Sequence, residues 1–69
     1  MTKINRKEIG ERLRNLRGDK DAKIVADSLG ISKSALFMYE RGKRIPRDQI
    51  KVRIAHYYGL PVQDIFYTD

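Results

Sequence analysis

Residues 22–41 read AKIVADSLGISKSALFMYER and predict two short helices that meet at Gly30. Asp21, just before this stretch, can cap the first helix because its carboxylate can accept hydrogen bonds from the free N–H groups of the opening turn. Gly30 tolerates a positive φ without a Cβ clash, so the chain can turn sharply there. Ser32 can cap the second helix. Apolar residues at helical spacing give each helix an inner face: Val25, Ala26 and Leu29 in the first, and Ala35, Leu36 and Tyr39 in the second.

A turn glycine, a small residue near the crossing and flanking apolar pairs are what a helix-turn-helix motif requires. Ala26 supplies the small side chain where the two helices come closest, and Ile31 can fill the corner between them. Such a unit cannot bury its own inner face. The rest of the chain should therefore cover it.

The whole chain has 69 residues, a length typical of one small domain near the lower limit for folding without staples. We expect a single domain over residues 1–69, with frayed ends at 1–4 and 67–69. The sequence contains no cysteine, which excludes disulfides and thiolate metal sites. No run approaches the length of a membrane span, and MTKINRKEIG lacks the apolar core of a signal peptide. We therefore expect a cytoplasmic protein that does not engage a membrane.

The charge of the chain favours a polyanionic partner. Fifteen Lys and Arg against nine Asp and Glu leave a net charge of +6, although small proteins also carry excess charge for solubility. The placement of the charge is more informative. Residues 41–47, RGKRIPR, contain basic residues and no acid, whereas residues 49–69 balance their basic and acidic residues.

Three further helices are predicted around the motif, so the expected fold is all-α and compact with five helices. The first covers residues 5–17, where Ile9, Leu13 and Leu16 repeat at i, i+4 and i+7. The fourth follows Pro46, whose fixed φ suits a helix start. The charged residues of the first helix should form a solvated face rather than a binding surface: Arg6, Lys7, Arg12 and Arg14.

The two C-terminal helices should complete the core. The fourth helix is expected to run to about Tyr58 before Gly59, and Pro61 then opens the short fifth helix, VQDIF. The residues expected to face inward are Ile50, Ile54, Tyr57, Tyr58, Ile65 and Phe66, with Val52 and Ala55 beside them.

Four segments in order carry a resemblance to a known family: IGERLRNLR, VADSLGIS, ALFMYERGKRIP and IKVRIAHYYGLPVQDIF. With them the chain resembles the Cro/cI-type helix-turn-helix family, also called the XRE family, over roughly residues 9–66. The resemblance implies a lambda-repressor-like fold. It also implies sequence-specific binding of a double-stranded DNA operator by a transcriptional regulator, a phage-type repressor and typically a homodimer.

In that family the third helix lies in the major groove and its first residues touch base edges. The resemblance assigns such a base-facing role to Ser32, Lys33, Ser34, Phe37 and Met38. Lys33 can donate to guanine O6 and N7, while Phe37 and Met38 can pack on thymine methyl groups. A core position is the alternative for Phe37 and Met38.

The resemblance also implies roles for residues around the groove-facing helix. Arg17 and Glu40 match positions that form a structural ion pair between helices one and three. Residues 41–47, the basic loop, match the segment with which the family binds phosphates. Within this loop Arg47 matches a position from which some relatives reach into the minor groove. The expected backbone contacts are Arg41, Lys43, Arg44 and Arg47.

The start of the second helix departs from the family's pattern. The family usually has a Gln there that bonds a phosphate, whereas this chain has Ala22, preceded by the acidic Asp21. Ile24 is apolar where the family is usually polar, so it either joins the core or lies on a partner surface. The connection before this helix is also shorter than usual. These departures transfer phosphate binding to the basic loop.

Two other function classes are alternatives to DNA binding. A protein-interaction module, antirepressor-like or antitoxin-like, would use helix three as an apolar docking face with Ile24, Phe37 and Met38. An enzyme is not expected, because His56 is the only histidine and no nucleophile, phosphate-loop or metal motif accompanies it. No metal or cofactor is expected. A homodimer, formed in solution or only on DNA, is expected through helices four and five.

Overall fold

The computed structural model describes residues 5–67 and forms five helices joined by short connections. These residues contain no strand, which confirms the predicted all-α, five-helix fold. The helices are α1 (Arg6–Arg17), α2 (Ala22–Leu29), α3 (Lys33–Glu40), α4 (Asp48–Tyr58) and α5 (Val62–Phe66). Helix α1 packs against α3 and α5, α2 packs against α3 and α4, and α4 packs against α5.

Side-chain caps define where the first three helices begin. Asn5 Oδ1 accepts from the Glu8 N–H at 2.9 Å, and the Glu8 carboxylate accepts from the Asn5 N–H in return. The predicted caps also form: Asp21 Oδ1 accepts from the Lys23 N–H at 2.8 Å, and Ser32 Oγ accepts from the Ala35 N–H at 3.0 Å. Each bond satisfies a backbone donor that the helix leaves unpaired.

Gly30 forms the predicted sharp turn between α2 and α3. Its φ of 72° and ψ of 31° lie in the left-handed region, and its N–H donates to carbonyls in the last turn of α2. Ile31 lies beside it, half buried against the core. The two helices of the predicted motif are therefore joined by three residues, Gly30, Ile31 and the Ser32 cap.

The core lies where the inner faces of all five helices meet. The apolar faces predicted for α2 and α3 are confirmed, and Val25 in particular is completely buried. Val52 on α4 is the exception to the predicted core, because 59% of its surface is exposed and it takes no part in the packing. The buried apolar side chains are Ile9, Leu13, Val25, Ala26, Leu29, Leu36, Tyr39, Ile54, Ala55, Ile65 and Phe66.

Two polar residues near α5 behave differently from the sequence-based expectation. Arg12 was expected on a solvated face, but it is half buried and its Nη1 donates to the carbonyls of Asp64 and Ile65 at 2.9 and 3.3 Å. Tyr67 was expected to fray, yet its hydroxyl lies 2.7 Å from Lys51 Nζ. The other residues expected to fray, 1–4 and 68–69, lie outside the described range.

Gly10, which neither a cap nor an apolar repeat marks in the sequence, permits a close approach of α1 to α3. It is buried in the middle of α1, and a Cβ placed on it would lie 2.4 Å from the Glu40 carbonyl oxygen and 2.8 Å from that of Tyr39. Real Cβ atoms do not come this close to backbone. Glycine inside a helix costs roughly 1 kcal/mol relative to alanine. Here the missing side chain lets α1 touch the backbone at the end of α3.

We expect Gly10→Ala to lower the free energy of unfolding by about 2 kcal/mol or more, because the new methyl group must push α1 away from α3. This loss should appear although alanine favours the helix itself. Gly59→Ala is the matched control, since its φ of 69° is strained for alanine but no atom lies within 4 Å of the new Cβ. Its cost should be only about 1 kcal/mol. Urea unfolding of the three proteins measures both values, and a Gly10→Ala protein as stable as wild type would contradict the close contact.

Candidate nucleic-acid interface

The first turn of α3 presents small and basic side chains outside the core. Lys33 and Ser34 are exposed, and they lie immediately after the Ser32 cap. Ser32 is exposed too, but its Oγ already accepts the Ala35 N–H, so its O–H is the group left to donate to a ligand. Met38, one turn further along, has 39% of its surface exposed.

Phe37 differs from the other residues predicted to face bases, because two cationic groups lie against its ring. The guanidinium carbon of Arg41 is 5.4 Å from the ring centroid and that of Arg17 is 5.7 Å from it. Both distances are within the range of a cation–π interaction. Phe37 is half buried as a result of this packing. Phe37 does not belong to the hydrophobic core, which was the alternative to a groove-facing position, and its base-facing role stays a prediction.

The loop after α3 exposes four basic side chains. Arg41, Lys43, Arg44 and Arg47 are all exposed, whereas Pro46 between them is buried and fixes the loop to the domain. The loop contains no acid and follows α3 directly, up to Arg47 before α4. The positive charge of the loop is therefore concentrated beside the C-terminal end of α3.

Tertiary contacts bring the start of α1 beside this loop. Arg6 Nη1 lies 3.5 Å from the Lys43 carbonyl oxygen, and a Cβ on Gly42 would lie 3.0 Å from Lys7 Cα. Gly42 has a φ of 73°, so glycine suits both the turn and the contact. The basic surface therefore includes Arg6 and Lys7. No sequence signal links these two residues to a loop more than thirty positions away.

Arg17 and Glu40 form a bidentate ion pair that joins α1 to α3. Arg17 Nε donates to Glu40 Oε2 at 2.7 Å and Nη2 donates to Oε1 at 3.0 Å, while Nη1 donates to the Lys20 carbonyl at 3.0 Å. The side chains are 17% and 4% exposed. The hydrogen bonds to Glu40 raise the pKa of Arg17 against the opposing effect of burial. A paired guanidinium in this position is a structural element of the domain.

Tyr58 lies near this pair with a buried hydroxyl that has no hydrogen-bond partner among residues 5–67. Burial disfavours the phenolate, and the negative charge of Glu40 adds to the effect, so the pKa of Tyr58 is raised to about 12 from its ordinary 10.0. Its ring meets Tyr57 edge to face, with centroids 5.1 Å apart.

The start of α2 shows how the departures from the family's pattern are accommodated. Asp21 binds backbone N–H groups as the cap, and Ala22 is half buried. Ile24 is 63% exposed, which excludes the core alternative. Lys23, the basic residue of this turn, pairs with Asp27 at 3.1 Å.

The described part of the chain contains neither a metal-binding cluster nor a membrane-spanning helix. His56 is exposed on α4, and residues 5–67 contain no cluster of three or more His, Cys, Asp or Glu placed to hold a metal ion. None of the helices formed by these residues is long and apolar enough to cross a membrane.

Two short helices joined by a left-handed glycine, with the second helix exposed at its first turn beside a basic loop, define a helix-turn-helix domain. The helix-turn-helix family model matches residues 11–65. The chain belongs to this family, the XRE-type or Cro/cI-type helix-turn-helix proteins.

Known proteins similar to this chain include several regulators. A relative at 29% identity over 56 residues is the cryptic phage CTXphi transcriptional repressor RstR of Vibrio cholerae; the match covers 78% of this chain and 50% of RstR, so the chain spans half of that protein. The restriction-modification controller protein C.AhdI of Aeromonas hydrophila is 26% identical with a TM-score of 0.78, covering 87% of this chain and 94% of that chain. The P22 c2 repressor, solved with a synthetic operator, shares the fold with a TM-score of 0.83 at 19% identity. This match covers 88% of this chain and 96% of that chain.

We expect Tyr58→Phe to raise the free energy of unfolding at neutral pH by about 1 kcal/mol, because it removes a buried hydroxyl without a partner. The two proteins should also differ in alkali. Since the raised pKa keeps Tyr58 protonated in the folded state while the unfolded chain loses this proton from pH 10, wild-type stability should fall between pH 10 and about 12. The phenylalanine variant should lose less stability over this window. Urea unfolding across the pH series measures both effects, and parallel losses in the two proteins would contradict the raised pKa.

Proposed function

We propose that this chain binds double-stranded DNA sequence-specifically, as a small transcriptional regulator of the repressor type. The observation that carries the proposal is the exposed first turn of α3 next to a loop with four exposed basic side chains. Membership of the family and the similarity to RstR, named as a transcriptional repressor, support the same conclusion.

In the proposed complex α3 enters the major groove with its first turn towards the base edges. Lys33 donates to guanine O6 and N7, and Ser34 bonds either a base edge or a phosphate. Ser32 contributes its O–H, and Met38 packs on a thymine methyl group. This arrangement uses exposed side chains of α3, so binding requires no opening of the core.

The basic loop supplies the proposed backbone contacts. Arg41, Lys43 and Arg44 neutralise phosphates beside the groove, and Arg47 extends towards the minor groove. Phosphate binding by the loop replaces the contact that Ala22 cannot make at the start of α2. Each neutralised phosphate releases counterions, so affinity should fall steeply as salt rises.

We also propose that two copies pair through α4 and α5, so that two recognition helices meet successive half-sites on one face of the DNA. Exposed apolar side chains on this side support the proposal. Val52 on α4 is 59% exposed, Leu60 between the helices is 38% exposed and Tyr67 after α5 is 53% exposed.

A protein-docking role for the α3 face is the competing proposal. The exposure of Ile24 and Met38 favours it. The ring of Phe37, which would be the largest apolar group of such a face, is half buried with two guanidiniums against it. A cationic surface of this kind suits DNA better than an apolar partner.

Selection of bound sequences from a random duplex library tests the DNA proposal. Two variants separate base recognition from phosphate binding: Lys33→Ala and Arg44→Ala. Lys33→Ala should relax preference at one base position at a cost of about 1–3 kcal/mol. Arg44→Ala should weaken all sequences evenly and reduce the slope of log affinity against log salt by about 0.9. Recovery of no sequence motif, with binding that depends only on salt, would overturn sequence-specific recognition. An even loss across sequences in Lys33→Ala would make Lys33 a phosphate contact.

Sedimentation velocity of the free protein and of the protein on its selected duplex tests the proposed dimer. We expect two chains per duplex and half-sites about one helical turn apart. Leu60→Glu places charge in the interface, so it should shift the free protein towards monomer and the complex towards one chain per duplex. Ile24→Glu, on α2, should leave dimerisation unchanged. A single chain at high concentration in both states would contradict pairing.

A further inference from the structure

The side chains of Arg17, Phe37 and Arg41 meet at the end of α3, and the two arginines differ in how firmly they are held. Arg17 is fixed by two bonds to Glu40 and one to the Lys20 carbonyl. Arg41 is exposed, and no carboxylate of residues 5–67 lies within 4.0 Å of its guanidinium. The ring of Phe37, 5.4 Å away, is the group against which that guanidinium rests. The aromatic ring therefore holds a cation that has no anionic partner in this part of the chain.

These residues line one open cleft that is suited to an anion. Arg14 and Glu40 complete its lining beside Arg17, Phe37 and Arg41, so three guanidiniums face one carboxylate. Two oxygens of that carboxylate are already bonded to Arg17. The remaining positive charge of the cleft lies on Arg14 and Arg41, at the edge between α1 and the basic loop.

A stacked guanidinium is better prepared for a phosphate than a mobile one. An arginine loses much rotamer freedom when it is immobilised on a ligand. An aromatic ring restricts that freedom before binding, while the planar edge with its N–H donors remains available. The ring thus lowers the entropy cost of each contact that the arginine makes.

We propose that Phe37 is a positioning residue, which orients Arg41 towards a DNA phosphate, rather than a residue that contacts bases. This inference rests on the proposed DNA-binding function. It differs from the role that the family resemblance implies for this position, because the ring serves a neighbouring side chain instead of a thymine methyl group. It also explains an aromatic residue on a helix whose inner face is already formed by Leu36 and Tyr39.

A mutant cycle on the affinity for duplex DNA tests the inference. Phe37→Leu removes the ring but keeps an apolar side chain, and it should weaken the selected duplex and a random duplex by the same factor, roughly 2- to 5-fold. In an Arg41→Ala background Phe37→Leu should have no further effect. In an Arg44→Ala background, the matched control from the same loop, it should keep its full effect. Phe37→Tyr retains the ring and should restore most of the affinity.

Two results of the cycle would overturn the inference. A loss confined to the selected duplex, with altered preference at one base pair, would make Phe37 a base contact. An equal loss in the Arg41→Ala background would show that the ring acts independently of Arg41. Thermal unfolding of each variant, with the urea midpoint, separates these results from loss of folded protein.

A measurement without DNA distinguishes failure of this inference from failure of the proposed function. In the free protein, ¹⁵N relaxation at Arg41 Nε should show smaller motion than at Arg44 Nε, and Phe37→Leu should release Arg41 alone. Equal mobility of the two arginines in wild type overturns the inference whatever the DNA result. A restrained Arg41 in a protein that binds no duplex overturns the proposed function, and with it the phosphate role of Arg41.

Discussion

The absence of a side chain at Gly10 lets α1 touch the backbone at the end of α3, and much of the structure depends on this contact. A Cβ there would meet the carbonyl oxygens of Tyr39 and Glu40. Close approach brings Arg17, about two turns further along the same face of α1, to the Glu40 carboxylate, where the bidentate pair forms with little exposure to water. An ion pair that is shielded from solvent demands good geometry because desolvation is costly. The small residue and the ion pair therefore fix the same orientation of α1 on α3.

That orientation also determines the electrostatic character of one end of the domain. With α1 held against α3, its first turn lies beside the loop that follows α3, and Arg6 and Lys7 join Arg41, Lys43 and Arg44. Charges this close repel one another, and they are tolerated because each is exposed to water and salt. When such a surface neutralises the charges of a polyanion, the counterions condensed on the polyanion are released, and this release adds to the affinity. The sequence segments 41–47 and 6–7 act as one basic surface only in the folded chain.

Helix α3 combines two kinds of residue. Its first turn has exposed polar groups whose hydrogen-bonding capacity is available, apart from the Ser32 oxygen that caps the helix. In its last turn Phe37 and Glu40 contact Arg17 of α1, and Arg41, the cap that follows, lies against the Phe37 ring. The side chains of the first turn are thus exposed, while the last turn is constrained by the fold. A single eight-residue helix in this way combines an exposed polar surface with a fixed structural contact.

Local patterns in the sequence determined the helices, their caps and the turn at Gly30, because capping bonds, helical periodicity and a positive φ depend on residues within a few positions of one another. They also determined the family, since the motifs occur in order along the chain. Tertiary packing alone decided the close approach at Gly10, the bonds from Arg12 to the α5 carbonyls and the exposure of Val52. It also decided the environment of Phe37, which periodicity marks only as a residue off the inner face. These features depend on which side chains from distant segments come within a few ångströms, and no spacing along the chain encodes that distance.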